Sequence, residues 1–329
     1  MAIENANVSI NALSMKYQPR HNSQAPHYQD LIPQLERYSP LVVVDVGAVG
    51  GLENPWKNVA QYIYVIGFEP EDSQFRELTN HPRGSSTYLN TGLYNQKTTV
   101  DFYVTKGKTN SLILPPNESF LAQFNPKHFV VDEVVKLNVD TLDNQLSEHG
   151  FTDVDFIKID TQGTELPILE GARDILQRSI FGLEVEVEFS ELYQKQALFG
   201  DVDKFLRDNG FQLFFLNPRY WKRVAGRKID CQGQLLYADA VYLREEQSFL
   251  RMINSLNKTE LQKAKLIKAL FICLLYRHDD YAIYLFNGHR DKFNDSEQQI
   301  ISSILENPSR SGLSSLKKRL HRLKNLFNS

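Results

Sequence analysis

Three carboxylates stand where apolar, strand-like runs end. Asp45 closes Leu41-Val42-Val43-Val44, Glu69 closes the run Tyr62 to Phe68, and Asp160 closes Val154 to Ile159. Open α/β sheets bind their ligands at the carboxyl ends of such strands. Asp45 is followed by Gly47, Gly50 and Gly51, which permit a tight turn and close approach of backbone to a ligand. Glu69 can accept hydrogen bonds from both hydroxyls of a ribose, and a charged acceptor makes them about twice as strong as a neutral one. Two nucleotide cofactors suit this outline. NAD needs G-x-G-x-x-G, so that its pyrophosphate sits on a helix N-terminus. Here the pattern is incomplete, with Val49 and Leu52 as bulky interruptions, and Asp45 would repel a diphosphate. An acid at that point favours a cofactor with a positively charged amino acid end, S-adenosylmethionine. A ligand-free strand-to-helix turn is the simplest alternative.

A second group of acids lies further on. Glu184, Glu186 and Glu188 alternate along one predicted strand and so share a face. Arg219-Tyr220-Trp221-Lys222-Arg223 follows another strand; aromatic rings there could stack on a sugar and arginines could grip an acid, or the segment could be a packed hairpin. The 8 histidines are scattered without HxxxH or HExxH spacing, so no metal site is expected. No G-x-S-x-G elbow and no phosphate-binding lysine loop occurs. The only 2 cysteines, Cys231 and Cys273, lack ligand or disulfide spacing and read as buried, inert thiols in a reducing compartment.

These residues need a scaffold that brings strand ends together. Strand and helix signals alternate from 40 to 244. Candidate strands cover Leu41–Val44, Tyr62–Phe68, Ser86–Leu93, 98–106, Val134–Val139, Val154–Ile159, Ile180–Phe189, Phe211–Leu216 and Leu235–Leu243; helices are expected near 141–149, 165–177 and 201–209. Alternation of this kind predicts an α/β fold around a mostly parallel sheet, antiparallel near its C-terminal edge. Residues 1–39 form a polar arm and a short lead-in helix (28–38). Residues 245–329 lose strand signals and read as a separate all-helical extension. Its capping box begins at Ser296, and 312–327 form a basic amphipathic helix that suits an anionic membrane surface or a second subunit.

Charge is nearly balanced at −3, from 37 basic and 40 acidic residues, which argues against a dedicated nucleic-acid binder. No apolar run reaches the ~20 residues of a membrane helix. The first residues lack the basic and apolar regions of a signal peptide, so a cytoplasmic protein is expected.

The segment DFIKIDTQGTELPILEGA (155–172) resembles the FkbM-type S-adenosylmethionine-dependent methyltransferases. So do DVGAVGG (45–51), GFEP (67–70), VDTLD (139–143), EVEFSELYQKQALFGDVDKFLRDNGFQLF (186–214) and RYWKR (219–223), in the same order. The chain departs from many relatives at Thr161-Gln162-Gly163 and at Gly92-Leu93-Tyr94. The resemblance implies a class I, Rossmann-like fold of seven strands and methyl transfer, usually to a hydroxyl of a sugar or natural product. It implies cofactor contacts at Asp45, Gly47, Ala48, Gly50, Glu69, Pro70, Gly92, Leu93 and Asp160. Asp160 is the first candidate for a base, with Glu188 in reserve and Lys158 beside it. Glu186, Arg219, Trp221 and Arg223 are candidates for holding a small-molecule or glycan acceptor. The rival readings are an NAD-dependent oxidoreductase and a non-catalytic adaptor on the same fold.

Overall fold

The computed structural model describes residues 27–82, 84–106, 112–124 and 129–306. The basic helix (312–327) and all but the last residue of the expected arm (1–27) lie outside the described residues. A 3₁₀ turn, His27–Leu31, precedes the single turn α1 (Ile32–Leu35), so the lead-in helix expected over 28–38 is shorter. Then come β1 (Leu41–Val46), β2 (Ile63–Phe68), α2 (Asp72–Asn80), β3 (Ser85–Leu89), β4 (Gly92–Leu93) and β5 (Thr98–Thr105). α3 (Glu118–Leu121), β6 (Val131–Asp140), α4 (Leu142–Glu148), β7 (Phe156–Ile159), α5 (Glu165–Glu170) and α6 (Arg173–Arg178) follow. β8 (Gly182–Glu188), α7 (Phe199–Asp208), β9 (Phe211–Trp221) and β10 (Gln234–Arg244) complete the strands, and α8 (Glu246–Asn254), α9 (Thr259–Leu275), α10 (Asp279–Gly288) and α11 (Asp295–Leu305) end the described chain.

Seven strands make one sheet in the order β3-β2-β1-β7-β8-β10-β9. β10 runs antiparallel to both neighbours and the other pairings are parallel. Strand order reverses between β1 and β7, and a ligand crevice is expected at that switch point. The expected strand Ser86–Leu93 is split. Its first part joins this sheet as β3, and Gly92–Leu93 pairs with β6 in a second, three-stranded sheet with β5. The helix expected over 165–177 breaks at Gly171. A Cβ there would lie 2.3 Å from the Tyr94 carbonyl oxygen, so the chain narrows at that point. The capping box of α11 is formed by Asn294 and Glu297, two residues earlier than the expected Ser296 box.

Side-chain alternation along the strands divides the core in two. Val44, Val46, Ile66, Phe68, Ile157 and Ile159 face α4 to α7. Leu41, Val43, Ile63, Val65, Phe156 and Leu243 face the other way. Their cover is made by the C-terminal helices, whose Phe249, Leu270, Phe271, Leu274 and Phe286 belong to the same buried cluster. The extension beyond 244 is therefore no separate unit, at least through Leu305: it is the second half of the sandwich around the sheet. A buried ion cluster joins the two. Asp155 takes Lys265 Nζ on Oδ1 at 2.6 Å and Lys268 Nζ on Oδ2 at 2.9 Å, and Oδ2 also accepts from the backbone N–H of Val42. Burial alone would raise the Asp155 pKa, but the two ammonium groups outweigh it and hold it below the ordinary value. Among the described residues no helix is long and apolar enough to cross a membrane.

Candidate active site

A cavity of about 260 Å³ opens at the switch point. Its acidic wall comes from Glu53, Glu69 and Asp160, with Lys158 among them, and its apolar wall includes Leu93, Phe102 and Leu112. Gly47 brings the first turn against β7. It has φ +75°, and a Cβ would stand 2.0 Å from the Asp160 carbonyl oxygen. Its N–H bonds the Phe68 carbonyl at 3.1 Å, while Asp160 N–H bonds the Val46 carbonyl at 3.1 Å. The two strand ends that carry the acids are thus pinned together by backbone.

Register explains the charges. Asp45, Lys158 and Glu184 lie side by side across β1, β7 and β8. Lys158 Nζ is 3.8 Å from Asp45 Oδ1 and 3.8 Å from Asp160 Oδ2. Burial opposes its charge, but Asp45, Asp160 and Glu184 around it hold its pKa above the ordinary lysine value. Lys158 is therefore a fixed cation and takes no proton from an acceptor. Asp45 is only 1% exposed, and its Oδ1 has no hydrogen-bond donor. Burial pushes its carboxyl up, and Lys158 offsets part of that.

Burial also raises Glu69 to about 7, although its Oε1 accepts from the Glu71 N–H at 2.9 Å. Glu165 is raised to about 7 for the same reason, while its Oε1 ties the turn after β7 through Thr161 N, Thr161 Oγ1 and Gly163 N. Asp160, unlike Glu69 and Glu165, is accessible, with its side chain 38% exposed. Its Oδ1 accepts from Gln162 Nε2 at 3.1 Å; the same amide donates to Glu186 Oε1 at 3.0 Å, and its oxygen accepts from the Tyr193 hydroxyl.

The expected contacts divide. Gly47, Glu69, Pro70, Gly92, Leu93, Lys158 and Asp160 line the cavity. Asp45 stands behind the wall and acts on the cavity through Lys158. Ala48 and Gly50 do not line it; Ala48 is buried against Gly67, and Val49 and Gly51 face the cavity instead. The reserve base Glu188 is 2% exposed and does not line the cavity, and burial among Glu165 and Asp160 pushes its pKa well up. Glu186 is likewise pushed well up by burial and by Asp160 and lies off the cavity.

The basic-aromatic segment is largely spent on the fold. β9 extends through it to Trp221, which packs against Phe124, Phe129 and Tyr237. Arg223 covers the Phe124 ring and bonds Gln123 and Gln234, and Arg219 bonds Asp239. Neither arginine nor Trp221 lines the cavity. Cys273 is buried as expected, but Cys231 is exposed. Three relevant groups escaped sequence reasoning: Gln162, Tyr193 and Tyr276. Gln162 sits within the matched motif, whereas no local pattern marks the two tyrosines.

The family model of the methyltransferase FkbM domain matches residues 45–213. The chain belongs to the FkbM methyltransferase family. Its sheet has the class I methyltransferase arrangement, seven strands with β10 inserted antiparallel, and the cofactor of this family is S-adenosylmethionine. Solved structures with similar folds include magnesium protoporphyrin IX methyltransferase from Synechocystis PCC 6803 with bound SAM (14% identity, 67% of this chain and 80% of that one, TM-score 0.34). Another is a TehB-like SAM-dependent methyltransferase from Corynebacterium glutamicum (11% identity, 66% and 88%, TM-score 0.31). A third is an rRNA methylase from Streptococcus thermophilus (13% identity, 70% and 99%, TM-score 0.30). No curated protein matches the chain. At such identities and scores the assignment rests on the family match and on the sheet itself.

The residues present fit this cofactor. The wall holds three acids against one lysine, and Asp45 Oδ1 is a buried acceptor without a donor. Both features suit a ligand with net positive charge and oppose a diphosphate. The NAD reading is set aside by the family match together with this charge.

Proposed function

We propose that this FkbM-family methyltransferase is an O-methyltransferase whose acceptor is a hydroxyl of an uncharged glycan or small metabolite. The observation that carries the reading is the Asp160 carboxylate: it is a solvent-accessible acid at the end of β7, at the switch point, beside Lys158 and braced by Gln162. When bound, S-adenosylmethionine supplies a methyl group already activated on a sulfonium. The chain's task is then to place a hydroxyl and to receive its proton. Orientation of that kind is worth effective molarities on the order of 10⁵ to 10⁸ M. Asp160 Oδ1 is engaged by Gln162, which leaves Oδ2 to accept the proton of the acceptor hydroxyl. A positioned base contributes roughly 10²- to 10⁴-fold. Glu69 would hold the ribose, since its second oxygen is free of the Glu71 bond. The acidic wall repels phosphorylated or carboxylated acceptors, which is why an uncharged one is favoured.

The test is transfer of labelled methyl from S-adenosylmethionine to fractionated cell extract. Asp160→Asn is expected to slow turnover by at least ~10²-fold with unchanged affinity for S-adenosylhomocysteine; undiminished turnover removes Asp160 as base.

Glu69 makes a pH prediction. Its pKa of about 7 means that a neutral carboxyl must lose a proton before it can accept both ribose hydroxyls as an anion. Affinity for S-adenosylhomocysteine should therefore rise between pH 6 and pH 8. A hydrogen bond to a charged group is worth about 1.5–3 kcal/mol, so Glu69→Gln should weaken binding on the order of 10- to 100-fold at pH 8 and remove most of the slope. Calorimetry across that range reads both.

A further inference from the structure

The charged row on the sheet does not end at the boundary of the matched domain. Glu184 on β8 lies beside Lys158 on β7, and its Oε2 accepts a hydrogen bond from the Tyr276 hydroxyl. Tyr276 is the residue that closes α9, 63 positions beyond Leu213, the last residue of the family match. Its ring stacks on Phe156 with centroids 5.3 Å apart. Its oxygen accepts from Trp56 Nε1–H at 2.7 Å, which directs its own proton to Glu184. Hydrogen bonds therefore run from Trp56 through Tyr276 to Glu184; Glu184 neighbours Lys158 across the strand register and acts on it electrostatically, and Lys158 pairs with Asp45 and Asp160.

We propose that Tyr276 is a positioning residue of the methyl-donor site: it orients Glu184 against Lys158 and so fixes the lysine between the two aspartates at the switch point. The proposal rests on the functional reading above and deepens it, because it makes the C-terminal helices a working part of the cofactor site. Nothing in the geometry requires Tyr276 to touch the ligand. Its hydroxyl is the one contribution of α9 to the row, and a phenylalanine would keep the packing while removing it.

The row is sensitive to protons. Burial raises Glu184 to about 7, with the Tyr276 hydroxyl and Lys158 working against that rise and Asp239 and Asp160 adding to it. Loss of the Tyr276 bond should therefore move Glu184 further up. At neutral pH the carboxyl would then be neutral and would no longer hold Lys158.

Trp56 offers a reporter that needs no acceptor. The chain has 2 tryptophans, so the indole region of an amide-correlation NMR spectrum carries two side-chain peaks, assigned with Trp221→Phe. In wild type the Trp56 indole peak should titrate with a midpoint near 7. Saturating S-adenosylmethionine, a cation, should lower that midpoint by about one unit, and by reciprocity its affinity should rise about tenfold across the same titration. Glu184→Gln keeps an acceptor for Tyr276 and should abolish the titration. Tyr276→Phe should bind S-adenosylmethionine about 3- to 10-fold more weakly at pH 8, where Glu184 is ionised in wild type. If wild type binds the cofactor but its indole midpoint does not move, Tyr276 only packs and the proposal is overturned. A calorimetrically silent wild type would instead overturn the functional reading. Should Tyr276→Phe fail to fold, the midpoint shift in wild type and its absence in Glu184→Gln still decide the matter.

Discussion

Asp155→Ala should yield little folded protein. The carboxylate is 1% exposed and neutralises two lysines, Lys265 and Lys268, whose side chains are 7% and 2% exposed. Removing one partner of a buried pair costs about 3–5 kcal/mol, because the other charge is left uncompensated. Here two charges are stranded, although Lys265 keeps Asp153 at 2.5 Å. The loss also frees the Val42 N–H at the start of the neighbouring strand. Total stabilities of about 5–15 kcal/mol leave little after such a change. Circular dichroism and a thermal melt would read it directly. The triple change Asp155→Leu, Lys265→Met, Lys268→Met removes the charges together and should restore folding, since apolar replacement of a whole buried cluster is often neutral or better. If Asp155→Ala alone melts within a few degrees of wild type, the cluster contributes little. The pH dependence has a definite sign. The folded-state pKa of Asp155 is lowered, so its stabilisation is present above the unfolded value of 3.8 and is lost as pH falls through the folded one.

Gly47→Ala should be nearly as damaging and should act at the site. The backbone there has φ +75°, and the new methyl would meet the Asp160 carbonyl oxygen at 2.0 Å. A left-handed backbone costs a non-glycine residue roughly 1–2 kcal/mol, and forced overpacking typically adds about 1–3 kcal/mol. Relief requires the ends of β1 and β7 to separate, which moves Lys158 and Asp160 away from Asp45 and opens the cavity. The variant should therefore lose measurable affinity for S-adenosylhomocysteine, and its melting temperature should fall. Gly50→Ala is the internal control. Its φ is +74°, but nothing lies within 4 Å of the added carbon. It should bear the backbone cost alone and keep binding. Equal behaviour of the two variants would show that the close approach at Gly47 has no consequence.

The parts of this molecule that could be read beforehand are those decided locally. Asp45, Glu69 and Asp160 each end a short apolar run, and a run of that kind becomes a central strand whatever surrounds it. Gly47 and Gly163 announce turns for the same reason. What escaped was decided by partners far along the chain. Tyr276 and Glu184 are 92 positions apart, and neither carries a mark of the other. The split at Gly171 is imposed by Tyr94, a residue of the loop after β4. Trp221 and Arg223 look alike whether a ring stacks on a sugar or on Phe124, so composition cannot separate binding from packing. The C-terminal helices gave helical spacing but no sign of their destination. α9 is apolar nearly all round, with Lys265 and Lys268 among its buried residues, and those two lysines make sense only once Asp155 is seen beneath them.

The cover that α9 provides also sets a schedule for synthesis. Phe156 and its neighbours on the inner sheet leave the ribosome well before Leu270, Phe271 and Tyr276, which must pack on them. At roughly 5–20 residues per second the interval is on the order of 10 s. For that time a nascent chain exposes a broad greasy surface and a buried-to-be Asp155 with neither lysine in reach. Expression at low temperature or with a trigger-type chaperone should therefore raise soluble yield, and stop codons placed before Thr259 should send the product to inclusion bodies.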